Sequence, residues 1–341
     1  MHNWEQEGIK LRQSSTNTYT SIAMTLKKKY KLDKTIDQIG ERIRYLIKKE
    51  MIPSSSVSKT DKKTYSINDI KQYYSAVKSL NQAANKLDTK QTEATVDIDD
   101  NKPVLLIFWG DWHVGAKGVD YDQLDKDIAL VSKTDGAYVF GLGDYKDNGN
   151  AFVIPSTAQE NQIPPGMQDL IVQDMMNKLK GKIQVLVRGC HDDWDYKVAN
   201  KDFIQTLCDN VNAVNLWHGG FVNVVLGNEE YKLYIRHKYK NESGLNTTNV
   251  QRNIINDRGH VDIAAVAHKH FPDLQMLKRQ GKDVIYLRTG SYKQYDEFGQ
   301  KIGGYSGAYG IPCVVIFPNT HKTIPFFDLQ QGINYINYLR K

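Results

Sequence analysis

An α/β domain preceded by a small all-helical one is the architecture that the sequence predicts, on three observations. Five separate apolar runs each end in residues of metal-ligand type. The stretches around them read as strands and helices in alternation. The N-terminal segment shows apolar periodicity of helical type and holds the whole basic excess of the chain.

The helical part comes first. TSIAMTLKKKY places Ile22, Ala23, Leu26 and Tyr30 on one helical face, with Thr20 as N-cap, and TIDQIGERIRYLIKKE places Ile36, Ile39, Ile43, Leu46 and Ile47 on another. Only KLDK separates them. Two short amphipathic helices joined by a tight turn resemble a helix-turn-helix unit, whose second helix carries Arg42, Arg44, Lys48 and Lys49 away from its apolar face as candidate DNA contacts. The following IPSSSVSKTDKKTYSI reads as a basic wing or as a linker, and a helical protein-interaction domain is the alternative for residues 1–63.

Beyond it, Ile70, Tyr73, Val77, Leu80, Ala84 and Leu87 recur at alternating spacings of three and four, the seam spacing of a coiled coil. A connector helix packed on a domain and a homodimer formed through residues 70–87 both satisfy that pattern. DTKQTEATVDIDDNK is polar and acidic, so residues 64–100 read as connector helix and linker, and the second domain takes residues 101–341.

In that domain VLLIFW precedes Asp111 and His113, AYVFGLG precedes Asp144, and IQVLVRG precedes Cys190, His191 and Asp192. YKLYIR then precedes His237, and IAAVA precedes His268 and His270. Buried parallel strands read as continuous apolar stretches, and ligands bind beyond their carboxyl ends, so all five blocks can meet on one rim. PPGMQDLIVQDMMNKLKGK reads as a helix with Met167, Leu170, Ile171, Met175 and Leu179 inward, and KVANKDFIQTLCDN as another. FVNVVLGNEEYKLYIRH is a hairpin turning at Gly227 and Asn228, while DVIYLRTGSY, IPCVVIFP and TIPFFDL supply further strands. EFGQKIGGYSGAYG reads as a Gly- and Tyr-rich loop. Arg188, Arg236, Lys238 and Lys269 stand beside ligand positions and are candidates for phosphate contact, whereas His2, His218, His260 and His321 fall outside the blocks.

Three carboxylates and five histidines on one rim combine oxygen and nitrogen donors in a way that suits two divalent transition metals. The blocks GDWH, GLGD, GCHD, RH and AHKH, spanning about residues 101–295, resemble the signature of the calcineurin-like metallophosphoesterase superfamily: Asp-x-His, Gly-Asp, Gly-Asn-His-Asp/Glu, His, Gly-His-x-His. The resemblance implies a four-layer sandwich of two mixed β-sheets flanked by helices. It also implies roles: Asp111, His113 and His270 hold one metal, His237 and His268 the other, and Asp144 bridges them. His191 would sit over the phosphate as the catalytic residue with Asp192 orienting its ring. A phosphodiester is an anion that repels hydroxide, so its hydrolysis needs cations that screen the phosphate and lower the pKa of an attacking water.

Cys190 departs from the pattern, since the family has Asn there. As a thiolate it is a ligand that favours Zn2+ or Fe2+ over the Mn2+ otherwise expected; as a buried thiol it leaves the second metal one ligand short.

Residues 1–63 contain fourteen Lys/Arg and seven Asp/Glu, a net of +7, so the remaining thirty-one basic and thirty-two acidic groups give −1 and the whole chain +6. A basic module on a near-neutral enzyme domain points to an anionic polymer, DNA first among nucleic acids. The reading that follows is a metal-dependent nuclease positioned by its N-terminal domain. A phosphoesterase for a small or protein substrate and a DNA-binding regulator with an inactive phosphoesterase domain are the alternatives. Three cysteines without paired spacing argue for a reducing compartment. The start MHNWEQEGIKLRQ is too polar for a signal peptide, and no apolar run nears the roughly 18 residues of a membrane span, so a cytoplasmic protein with no membrane partner is expected.

Overall fold

The computed structural model describes residues 1–14, 16–51, 66–87, 90–149, 153, 157–242, 246–295 and 307–341. The chain divides into two compact units, Met1–Asp88 and Thr89–Lys341. The basic-wing segment and most of the Gly/Tyr-rich loop lie outside the described residues.

In the first unit, helices α1 (Asn3–Gln13), α2 (Tyr19–Tyr30) and α3 (Ile36–Met51) enclose one small core. Ile22, Ala23 and Leu26 meet Ile39, Ile43, Leu46 and Ile47 in it, as their spacing predicts. Two features differ from the sequence reading. The N-cap of α2 is Thr18, whose hydroxyl accepts from Ser21 N at 3.2 Å, so the helix starts earlier than Thr20. And α1, written in a polar sequence, adds Trp4 and Ile9 to the core, with Gly8 allowing close packing: a Cβ there would stand 2.3 Å from Ile43 Cδ1. Helix α4 (Ile67–Leu87) leaves Ile70, Tyr73, Val77 and Leu80 exposed along its length.

The second unit holds two six-stranded sheets. One runs β1-β6-β7-β8-β10-β9 and the other β12-β11-β2-β3-β4-β5. The first comprises β1 (Glu93–Ile98), β6 (Gly219–Leu226), β7 (Glu229–Arg236), β8 (Ile263–Val266), β9 (Asp273–Arg279) and β10 (Lys282–Arg288). The second comprises β2 (Val104–Trp109), β3 (Ala137–Gly141), β4 (Ile183–Leu186), β5 (Val214–Asn215), β11 (Cys313–Ile316) and β12 (Thr323–Phe326). Both are mixed: β2 to β5 pair in parallel, with β11 antiparallel beside β2, and the β6–β7 hairpin is followed by parallel β8.

Strand alternation makes the layers. In β2, Val104, Leu106 and Phe108 face Val222, Leu233, Ile263 and Ile285 of the other sheet, whereas Leu105, Ile107 and Trp109 face helices on the opposite side. Those helices are α5 (Tyr121–Lys133), α6 (Pro165–Lys178), α8 (Phe203–Val211) and α10 (Leu329–Leu339). The far face of the first sheet is covered by α9 (Asn249–Arg258) through Val250, Ile254 and Ile255. The result is the four-layer sandwich. No described helix is long and apolar enough to cross a membrane.

Three local readings need correction. Residues 93–98, read as polar linker, form β1 at a sheet edge; Ala94, Val96 and Ile98 turn inward and alternate with Thr and Asp that face water. Helix α6 packs Ile171, Met175 and Leu179 as read, together with Val172 and Met176, but Gln168 and Asp169 turn inward to bond Asn148 N and Lys146, which leaves Met167 and Leu170 exposed. KVANKDFIQTLCDN is two helices, α7 (Asp192–Ala199) and α8, broken at Asn200 in left-handed backbone.

Candidate metal centre

The loops beyond β2, β3 and β4 carry Asp111, His113, Asp144, Cys190 and His191, and those beyond β7 and β8 carry His237, His268 and His270. Both sheets thus contribute to one rim. Asp111, His113, Asp144, His237 and His270 are buried, and Cys190, His191 and His268 are half-buried.

The backbone at this rim is unusual. Asp111 (φ 51°), His113 (φ 50°), Asp144 (φ 53°), His268 (φ 77°) and His270 (φ 56°) all lie in the left-handed region. Each such residue costs on the order of 1 to 2 kcal/mol. Hydrogen bonds between the loops hold them there: Asp111 N to Gly143 O at 2.8 Å, His113 N to Asp144 O at 3.0 Å and Ala267 N to His237 O at 3.0 Å. The carboxylates join in, Asp144 Oδ1 accepting from His191 N at 2.8 Å and Asp111 Oδ2 from His268 N at 2.9 Å. Gly189 is required by crowding, since a Cβ there would stand 2.1 Å from both Asp144 N and Oδ1.

The donor atoms fall into abutting groups. One atom each of Asp111, His113 and His270 lies within 4.8 Å of the others, and Cys190, His237 and His268 form a second triad of the same tightness. Asp144 stands between them, grouped with Asp111 and His237 on one side and with His113 and His191 on the other. Cys190 Sγ is 3.7 Å from His268 Nδ1, so its sulfur faces the second triad.

Electrostatics and orphaned atoms test whether cations fit. Asp111 Oδ1 and His237 Nε2 are buried without a hydrogen-bond partner; His237 Nε2 comes to 3.1 Å from Asp144 Oδ2, but that approach lacks hydrogen-bond geometry. His113 Nε2 and His270 Nε2 stand 2.9 Å apart. Burial holds His270 well below its ordinary pKa and, with His237 nearby, pulls His268 down to about 3, so both rings are neutral and offer lone pairs. Burial raises Asp111, while Asp144 is held low because His237, His191 and His113 outweigh its burial. Buried orphans of this kind cost about 1 to 3 kcal/mol each. Divalent cations coordinated by these oxygen, nitrogen and sulfur donors would relieve that cost, so the residues fit such ions.

A supporting layer escaped the sequence reading. Asp147 Oδ1 lies 3.1 Å from His113 Nδ1 and 3.2 Å from Lys293 Nζ. Burial works against the Asp147 carboxylate, but His113, His191 and Lys293 bring it to about 2. His237 Nδ1 is fixed at 2.9 Å from Leu142 O, which turns Nε2 to the cluster. Buried Glu242 lies 3.6 Å from His268 Nε2, and buried Arg288 donates to Ala267 O at 2.8 Å. Of these only Asp147, three residues after Asp144 in the same block, left a signal in the sequence.

His191 and Asp192 are placed differently from each other. The His191 ring bonds the carbonyl of Asp147 through Nδ1 and stacks on Trp194, with ring centroids 4.2 Å apart. Asp192 does not orient that ring: its carboxylate accepts from Asp144 N at 2.7 Å, Gly189 N at 2.9 Å and Tyr145 N at 3.3 Å. Burial raises it to about 6, with Asp144 nearby adding to the effect. Its role is therefore to clamp two ligand loops together.

The basic candidates divide as well. Arg188 is buried, paired with Asp202 at 2.6 Å and laid over Trp217, so it serves packing. Lys269 faces Glu242 at 3.8 Å. In the N-terminal unit Arg42 is tied through Nε to buried Glu5 at 2.8 Å while its side chain stays 47% exposed. Arg44 lies over the Tyr19 ring, and Lys48 and Lys49 are exposed.

No family model matches the sequence, and no curated protein matches it. Among solved structures, a Vps29 single mutant from Entamoeba histolytica aligns at 14% identity over 65% of this chain and 99% of its own, with a TM-score of 0.35. Vps29 from Chaetomium thermophilum aligns at 12% identity over 65% and 96%, with a TM-score of 0.38. A protein from Streptococcus pneumoniae described as a predicted phosphoesterase aligns at 15% identity over 66% and 98%, with a TM-score of 0.31. The chain is thus a sandwich of two mixed sheets between helix layers, with five ordered ligand blocks gathered on one rim.

Proposed function

We propose that the second unit hydrolyses phosphodiesters with two divalent cations, and that the chain is a DNA nuclease positioned by its N-terminal unit. The observation that carries the chemistry is the pair of abutting triads, Asp111/His113/His270 and Cys190/His237/His268, with Asp144 between them. Bound there, the cations would screen the phosphate charge and acidify an attacking water. Asp144 supplies negative charge to both positions. His191, half-exposed beside the cluster and held by Asp147 O and Trp194, is placed to hydrogen-bond the phosphate or to protonate the leaving oxygen. Cys190 as thiolate gives the second position a soft donor, which favours zinc or iron there, while the Asp/His/His triad suits manganese as well. Support for DNA is electrostatic: the net +7 of residues 1–63 and the exposed Arg44, Lys48 and Lys49.

The test is hydrolysis of labelled DNA beside a small chromogenic diester, with manganese, zinc or chelator, by wild type and His191→Ala. Metal-dependent DNA cleavage that disappears in His191→Ala while metal stays bound is expected, and it should weaken steeply with salt. Turnover of the small ester alone would leave a phosphoesterase for another substrate. Full metal occupancy without turnover of any phosphoester would overturn the enzymatic reading.

A further inference from the structure

A groove of about 520 Å³ is lined by Cys190 and His237 of the second triad and by Arg236, Lys238, Tyr239 and Arg258; the one carboxylate in its lining, Asp193, is paired with Lys197 at 2.7 Å. We infer that this groove holds the phosphate next to the scissile one on a nucleic-acid strand. The inference rests on the phosphoesterase reading and adds to it the residues of the second unit that would select a polynucleotide.

Charge is the first argument. Arg236 and Lys238 flank His237, and among the described residues no carboxylate lies within ion-pair distance of either; the neighbouring Lys240, by contrast, is paired with Asp257 at 2.8 Å. Two adjacent cations with no carboxylate partner among the described residues, set beside a cluster that would receive cations, make a place where an anion lowers the local repulsion. Arg236 uses one N–H, Nε, on Lys238 O at 2.8 Å, which leaves its terminal nitrogens for an oxyanion. Shape is the second. Because Cys190 and His237 line the same groove, an anion seated on Arg236 and Lys238 would lie beside an ester held at the cluster, where a neighbouring phosphate of the same strand would fall. A monoester or an isolated phosphoresidue has no second phosphate to place there, whereas a polynucleotide has one at every step. Tyr239 and His218, both half-buried, also line the groove, and aromatic rings are the groups on which bases stack.

The experiment compares a trinucleotide with bis(p-nitrophenyl) phosphate on the full chain, for wild type, Arg236→Gln, Lys238→Gln and the charge-keeping Lys238→Arg. The ratio of kcat/KM for the trinucleotide to that for the small diester should fall about tenfold in each Gln variant, through KM, and recover in Lys238→Arg. The log–log salt dependence for the trinucleotide should flatten by about 0.7 for each phosphate contact removed. A ratio that both Gln variants leave unchanged overturns the groove assignment while the phosphoesterase reading stands. A wild type that hydrolyses neither ester overturns both. A phosphoserine peptide turned over faster than the trinucleotide, and dependent on the same two residues, overturns the nucleic-acid assignment in favour of a protein substrate.

Discussion

Asp147 places Oδ1 3.1 Å from Nδ1 of His113, and so fixes which nitrogen of that ring faces the cluster. A carboxylate behind a ligating imidazole sets its tautomer and raises its donor strength. Asp147→Asn should weaken metal binding by about 10- to 100-fold with the fold retained. Competition with a chromogenic chelator reads this directly, and an affinity equal to wild type would remove Asp147 from the support of the site.

Only one of the three cysteines is set up to react. Burial pushes Cys208 up to about 12 and holds Cys313 still higher, which keeps both as thiols, whereas Cys190 is half-exposed with its sulfur turned to His268. The thiolate is the reactive form, so a disulfide reagent should titrate one thiol in the native protein and three in denaturant. Zinc should protect that one. Equal labelling with and without zinc would exclude Cys190 from metal binding.

Asp192 and His191 should separate in mutants although they are neighbours. Asp192→Ala strips buried acceptors from three backbone N–H groups, so it should lower unfolding free energy by at least about 2 kcal/mol, measured by urea denaturation. His191→Ala removes a ring that is 19% exposed and makes one hydrogen bond, to Asp147 O, and should leave stability within about 1 kcal/mol of wild type while abolishing turnover. A stable Asp192→Ala would refute the clamp.

Arg42 and Arg44 should likewise differ. Arg42→Ala leaves buried Glu5 without its guanidinium partner and should destabilise the N-terminal helices by about 1 to 3 kcal/mol; Arg44→Ala loses only an exposed contact with Tyr19, about 0.5 kcal/mol. Thermal unfolding of the two variants ranks them. If Arg42 proves the more tolerant, the α1–α3 pairing contributes little.

The sequence was most legible where a strand ran into a ligand. VLLIFW, AYVFG, IQVL, YKLYIR and IAAV are strands in the structure, and the β6–β7 hairpin turns at Gly227 and Asn228. Legibility failed where polar residues face inward. Gln168 and Asp169 turn the first turn of α6 inward in place of Met167 and Leu170 because they satisfy groups on other elements, and nothing local announces those partners. Acidic residues hid β1 in the same way: an edge strand needs only every second side chain to be apolar. Glu242, five residues beyond His237, and Lys293, far along the chain, reach the site from positions with no motif to mark them.

Each triad draws on both sheets, Asp111 and His113 with His270 in one, Cys190 with His237 and His268 in the other. An ion seated in either would therefore act as a rivet across the seam of the sandwich, joining points some 160 residues apart in the first case. The supply of metal would then bear on more than turnover: it would set how firmly the two halves of the domain stay closed, and so how long the molecule lasts.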